Sequence, residues 1–491
     1  MYEYLIGMDP KTGAFVPQLA TEWSIEPDGK SYRFKLRKGV QLHKGWGEFT
    51  AKDVLFTYDT LVHPDSLHGE SGFVKGAVEG LQVINDYEVV VNAVAPNMDL
   101  LITFASEQQQ ANLMTSKASF DAVGEYPLGG DEPLAGTGPY QFLERAQGQF
   151  VRYERVPGDH WRITADFPEL EIRWLDEAST RLASLLTEEI HITNLPEDQR
   201  PTALSGGMKL IQGPVPGLRT FLITFCCMFD APDVAWAADL PVGQSFQQRY
   251  PDSPLQDVRV RRALNQAIDR DLLNESFFRG KGEIMARNNY HPTRPAWDPS
   301  WEQRFSEAYG YDPQKARELL AEAGYDQNNP FETNMLMVKR TEYGGSEDVQ
   351  EAIVGFWRDV GVKANIVVMD RAQQSAKSRA WEFDNHYQIS ATSSHLGLGI
   401  RVYDSPQTRI GSPEIPLMNE LFVEARTTLE LTRQRDLLRQ SGEVAYINYI
   451  DVPLFWLKAE VLINPKFVSD WEFPGAISGT WSHLELIKAA R

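Results

Sequence analysis

Cysteine is nearly missing from this 491-residue chain: there are two, Cys226 and Cys227, and they are adjacent. Neighbouring residues on a strand point to opposite faces, so a disulfide between them would be strained. Structural zinc usually draws on four ligands with CxxC-like spacing, which does not occur here. Two buried, inert thiols are expected, with a redox role as the alternative. Long apolar runs are missing too, none approaching the ~18–20 residues that cross a bilayer as a helix. Basic charge is scarce: 48 Lys and Arg stand against 68 Asp and Glu, a net charge of −20. That balance argues against nucleic acid or an anionic membrane surface as the main partner. GxGxxG, GxxxxGK[ST], HExxH and GxSxG are all absent, so no signature of a dinucleotide, phosphate, metalloprotease or hydrolase site is readable. Carboxylate pairs are abundant in so acidic a chain and carry no information. No catalysis, cofactor or metal is expected. Repeats of 20–50 residues and low-complexity tracts are missing as well.

What is present reads as an ordinary folded protein, with 42% apolar and 24% charged residues. The length exceeds one hydrophobic core, so two or three lobes are expected. Near the N-terminus Tyr32, Phe34 and Leu36 alternate with Arg33, Lys35 and Arg37, a half-buried strand after the turn Pro27-Asp28-Gly29. Thr50 with Asp53 reads as an N-cap opening a helix over 51–61, and Tyr87–Val94 as a strand. Strands are also predicted near 150–154 and 170–175, and a helix over 178–187. From Asp257, Val260, Ala263, Leu264, Ala267 and Ile268 make one apolar helix face, which places the arginines between them on the solvent side. Asp312, Pro313 and Gly324 supply the cap, first turn and stop of another helix. Further on come a helix over 349–360, a strand over 362–369 and one long helical stretch over 417–447. Helices and strands alternate throughout, so the class is α/β.

Several of these segments share wording with a known family. Leu19-Ala20-Thr21-Glu22-Trp23 with Asp28–Val40, then Phe49–Phe56, Gly136-Thr137-Gly138-Pro139-Tyr140, the 170–192 unit, Asp257–Arg270 and Tyr311–Tyr325 occur in family order. Together they closely resemble family 5 of bacterial extracellular solute-binding proteins, the oligopeptide-, dipeptide- and nickel-binding receptors of ABC importers. Glu188-Glu189-Ile190-His191 departs from the usual Gly-Glu-Ile-Asp. The resemblance implies a two-lobed periplasmic-binding-protein fold with mixed sheets, an extra subdomain inserted in the first lobe and a hinge of two crossing strands. Carried over by position, the first lobe takes residues 1–225 with the insert at about 40–135. The second lobe takes 226–455, and 456–491 return to the first. The crossing strands are expected at 221–229 and 454–461. Residue 1 falls where relatives are already inside the first lobe, which implies a mature form, periplasmic or extracellular, whose targeting or lipid-anchoring segment precedes it. A monomer and an ABC transporter permease as partner are implied likewise.

The family's ligand positions map onto three regions. Tyr2-Glu3-Tyr4-Leu5 corresponds to a segment usually reading Phe-Glu-Gly-Leu, where Glu3 can accept hydrogen bonds and Tyr4 can stack. The second crossing brings Phe455 and Trp456 toward the cleft, with packing between the lobes as the competing role. In the second lobe, peptide binders carry a Trp-x-x-Asp-Tyr-like stretch whose aspartate pairs with the peptide's free ammonium. Here Ser390 stands where the tryptophan would be and Ser393 where the aspartate would be. A buried ammonium without a carboxylate is poorly compensated, whereas Tyr387, Ser390, Ser393, Ser394 and His395 offer neutral donors and acceptors. These suit an oligosaccharide or a modified peptide. Arg401 can read an anionic group, and Trp236, in the long 233–254 stretch, can reach the cleft mouth or decorate the surface. Runner-up readings are an ordinary oligopeptide receptor, a nickel–metallophore receptor resting on His395 and Arg401, and a sensor or chaperone. His43, His386 and His395 lack metalloenzyme spacing, and a hydrogen-bonded structural role is expected of each.

Overall fold

A computed structural model describes residues 1–66, 68, 71–97, 100–105, 113–125, 132–215, 218–225, 253–338, 346–370, 372–374, 377, 386–390, 415–475 and 481–491. The opening strand is as read: Ser31–Leu36 buries Tyr32, Phe34 and Leu36 and turns Arg33 and Lys35 outward. It lies between Ala20–Ile25 and Glu88–Ala93 in an antiparallel sheet that Val78–Asn85 completes. The helix Ala51–Leu61 packs beside it. The amide of Thr50 donates to Asp53 Oδ2 at 2.9 Å, the reciprocal bond of a capping box. Asp53 also accepts from the amide of Lys117 at 2.9 Å, so the cap ties two segments together.

A six-stranded mixed sheet dominates the other half. Its order is Glu283–Ile284, Asp451–Leu457, Arg219–Thr224, His386–Ser390, Glu332–Val338 and Lys363–Met369. The last three run parallel to one another, while 219–224 is antiparallel to both its neighbours. The helices Val258–Gln266, Pro313–Glu322 and Ser346–Asp359 cover it. Val260, Ala263, Leu264, Ala267 and Ile268 all enter that core. Asp312 caps its helix through the amide of Lys315 at 2.8 Å, and Gly324 stops it at φ +93°.

Four expectations are corrected. The arginines after Asp257 do not all face solvent, since Arg261 is 1% exposed. Its guanidinium donates to the carbonyls of Leu255 at 2.5 Å and Asn448 at 2.8 Å, groups that two helix ends leave without partners. The Asp257 helix ends at Gln266, and Asp269 caps a separate helix, Arg270–Phe278. The long stretch 417–447 is two helices, Pro416–Thr427 and Leu431–Ile447, because Glu430 accepts from the amides of Thr432 and Arg433 and starts a new one. Finally, the predicted strand 454–461 is two strands. Asp451–Leu457 belongs to the six-stranded sheet. After Lys458 and Ala459, Glu460–Ile463 enters a three-stranded sheet between Ile192–Thr193 and Lys209–Gln212. The chain thus passes from one sheet to another within about ten residues.

Candidate functional site

At the N-terminal corner Glu3 is 1% exposed. Its Oε1 accepts from Arg162 Nε at 2.8 Å, and Arg162 Nη1 reaches Glu485 Oε1, also at 2.8 Å. Burial alone would push the Glu485 carboxyl up, but the Arg162 guanidinium outweighs it and holds the carboxyl below its ordinary range. Residues distant in sequence are thereby clamped around one guanidinium. Glu3 Oε2 is buried with no hydrogen-bond partner among the described residues. Tyr4 is buried beside it, its amide donating to Gln18 Oε1 at 2.8 Å.

The GTGPY segment owes its glycines to this corner. A Cβ on Gly136 would stand 2.5 Å from the Met1 carbonyl oxygen, and one on Gly138 would stand 2.8 Å from it. Only glycine lets the two backbones approach so closely. His43 has the hydrogen-bonded structural role expected of it. Its Nε2 lies 2.8 Å from the Gly138 carbonyl and its Nδ1 3.3 Å from the Gly136 amide. The neutral ring with its proton on Nε2 satisfies both contacts. Burial pushes the imidazole down to about 4.

On the second crossing strand, consecutive residues face opposite ways. Trp456 packs with Leu218 and Met285. The His291 ring stands edge-on to the indole at 5.2 Å and the Arg294 guanidinium lies over it at 5.1 Å. His291 is held by Glu283 at 3.2 Å and Thr293 at 2.7 Å. Phe455 points into the core of the six-stranded sheet, 5.3 Å from the Phe278 ring. Tyr387 and Ser390 belong to the strand His386–Ser390, which pairs directly with the first crossing strand, Ser390 opposite Leu222. Glu3 and Tyr4 therefore share one corner, while Phe455, Trp456, Tyr387 and Ser390 share one sheet. Ser393, Ser394, His395, Arg401, Trp236 and the Cys226–Cys227 pair lie outside the described residues.

Sequence reasoning missed Arg162 and Glu485, the clamp on Glu3, and also His291 and Arg294, which bracket Trp456. An isolated Arg or His far along the chain gives no local sign of its partner. A cavity of ≈320 Å³ beside the crossing, lined among others by Asn194, Glu197, Arg200 and Lys281, also escaped notice and contains none of the expected ligand residues.

Among the described residues no helix is long and apolar enough to cross a membrane. The family model for bacterial extracellular solute-binding proteins, family 5 Middle, matches residues 14–393. The dipeptide-binding protein of Escherichia coli K12 is 25% identical over 403 residues, spanning 78% of this chain and 68% of that one. Among solved structures, the DppA periplasmic binding protein of Helicobacter pylori, in complex with the peptide STSA, superposes with a TM-score of 0.80 at 20% identity. The match covers 100% of this chain and 92% of that one. AgaA from A.tumefacien R10, in complex with agropinic acid, gives 0.80 at 16% identity with the same coverage, 100% and 92%. The fold is the two-lobed one of periplasmic binding proteins. With the match spanning most of its length, the chain belongs to family 5 of the bacterial extracellular solute-binding proteins, the receptors of ABC importers.

Proposed function

We propose that this receptor captures an oligosaccharide or a modified peptide in a cleft between its lobes and hands it to an ABC transporter permease. The proposed lobes are 1–225, with an inserted subdomain at about 40–135, and 226–455, with 456–491 returning to the first. The observation that carries the reading is the passage of the chain from the six-stranded to the three-stranded sheet at Lys458 and Ala459, beside the antiparallel strand Arg219–Thr224. Two adjacent strands that link separate sheets are the natural pivot for lobes closing on a ligand. Trp456, 2% exposed in this conformation and bracketed by Arg294 and His291, is the aromatic residue on one face of that pivot that lobe opening is proposed to present to cargo.

The ligand class rests on Ser390 and Ser393, which stand where a tryptophan and an aspartate would meet a free peptide N-terminus. A buried ammonium without a carboxylate typically costs several kcal/mol, on the order of a thousandfold or more in affinity. Ligands without that charge lose nothing there. Agropinic acid, the ligand of one structural relative, shows the fold compatible with more than unmodified peptides in that protein. The competing reading, an ordinary peptide receptor, is favoured by the peptide-binding relatives.

Mass spectrometry of material released on denaturing the purified receptor, followed by calorimetry with that compound, oligosaccharides and free di- to pentapeptides at one pH, separates the two. The expected cargo has no free α-ammonium, and Trp456→Ala weakens its binding about tenfold or more. Micromolar binding of unmodified peptides that ignores Trp456→Ala would overturn the proposed ligand class.

A further inference from the structure

A pocket lies against the crossing strands. Side chains alternate along a strand, so Phe221 and its register partner Phe455 share one face, and Thr220 and its partner Trp456 share the other. The ≈320 Å³ cavity opens on the Phe221 face, between the segment Asn194–Arg200 and the end of the helix Arg270–Phe278. It is therefore on the opposite side of the sheet from Trp456.

The lining has an apolar floor and a charged rim. Phe221, Phe278, Leu195 and Leu457 form the floor. Four cationic side chains, Arg200, Arg219, Lys281 and Lys458, face two carboxylates, Glu197 and Glu460. In a chain of net charge −20 this is a local surplus of positive charge. Both carboxylates are already engaged. Arg200 pairs with each of them, Gln212 Nε2 donates to Glu460 at 2.5 Å, and Lys281 Nζ lies 2.8 Å from Glu197. Among the described residues no carboxylate stands within ion-pairing distance of the exposed Lys458.

We propose that this cavity is a second ligand site, which takes a small organic carboxylate with an aryl or short acyl body. The body lies against Phe221 and Phe278, and the carboxylate meets Lys458 and Lys281 at the rim. The size supports a single small molecule, since ligand pockets begin at about 300 Å³. Inorganic anions gain the rim charge but forfeit the floor, and neutral aryl compounds gain the floor but forfeit the rim. The assignment does not depend on which ligand the interlobe cleft takes. Where the crossing strands act as the pivot proposed above, occupancy against them changes cleft affinity, and the cleft ligand changes occupancy here by the same factor.

The test uses phenylacetate as probe on the full chain, with phenylacetamide and inorganic phosphate as controls. Calorimetry reads affinity, and a phenylacetate-soaked crystal reads location. Lys458→Glu is the main variant, since the side chain is exposed and has no ion pair to lose among the described residues, and Lys458→Gln repeats the test without charge reversal. Phenylacetate is expected to saturate one site, with the probe between Phe278 and Lys458. Phenylacetamide and Lys458→Glu should each bind about tenfold more weakly, the scale of one charge-assisted contact. Phosphate should bind more weakly than phenylacetate. Equal binding of the amide, tighter binding of phosphate, indifference to both Lys458 variants, or density in the cleft alone would overturn the assignment.

Discussion

At the scale of single residues, the N-terminal corner is held by groups whose protonation is fixed by what surrounds them. His43 uses Nδ1 to accept from Gly136 and Nε2 to donate to Gly138, so a second proton would destroy the acceptor and charge a buried ring. Its folded value, about 4, is below the ordinary histidine value of 6.5. Between those two values the unfolded chain binds more protons than the folded one, and stability rises with pH. The stabilisation from neutral His43 is fully present above pH 6.5 and is lost as pH falls toward 4. The loss over that window is on the order of 2–3 kcal/mol. His160, also pushed down by burial, adds to it in the same direction. Denaturant melts at pH 7 and pH 5 should show wild type losing more stability than His43→Gln. Equal losses would mean that the ring is solvated.

At the scale of elements, Arg261 shows how a charged residue can be part of a core. Its guanidinium fills the gap between the end of the helix Leu431–Ile447 and the turn before Val258–Gln266, bonding the carbonyls of Asn448, Leu255 and Gln256. Removing it strands those acceptors. Arg261→Met should cost about 2–4 kcal/mol, whereas exposed Arg259→Met should cost less than about 0.5 kcal/mol. Matched losses for the two variants in urea unfolding would count against the bridging role. The contrast also explains what the sequence could and could not tell. Apolar periodicity, the Thr50–Asp53 box and the Asp312-Pro313…Gly324 punctuation are local signals, and the elements they announce are present. The break at Glu430 was missed because a Glu cap followed by good helix formers looks like uninterrupted helix. Arg261 was misread because one of its acceptors, the Asn448 carbonyl, lies 187 positions away, which no local pattern encodes. The site divides in the same way. Glu3, Tyr4 and Trp456 were named as candidates through family wording, while their structural partners Arg162, Glu485, His291 and Arg294 are visible only after folding.

At the scale of the whole molecule, the arrangement of sheets bears on motion. The three-stranded sheet that holds Glu460–Ile463 and the six-stranded sheet that holds Asp451–Leu457 have their own buried clusters, one around Trp471 and Val461 and another around Trp357 and Leu264. In the proposed hinge, rotation of one against the other is absorbed near Lys458 and Ala459 with little repacking inside either cluster. Lys281 Nζ and Glu197 lie 2.8 Å apart across the cavity and so tie the two sides of the proposed pivot together in this conformation. Ligand bound between the lobes is expected to favour closure, since only the closed form gives it contacts on both sides. Small-angle scattering with and without saturating cargo should show a smaller radius of gyration in the bound state. Thermal stability should rise at the same time, by about 2.7 kcal/mol at a hundred times the dissociation constant. Lys281→Ala should shift the unliganded radius without abolishing the ligand-dependent decrease, because the bridge spans the proposed pivot but is not the pivot itself. A radius unchanged by ligand in both proteins, together with a normal stability increase, would mean that cargo binds without lobe motion and that the strands at Lys458 join the sheets rigidly.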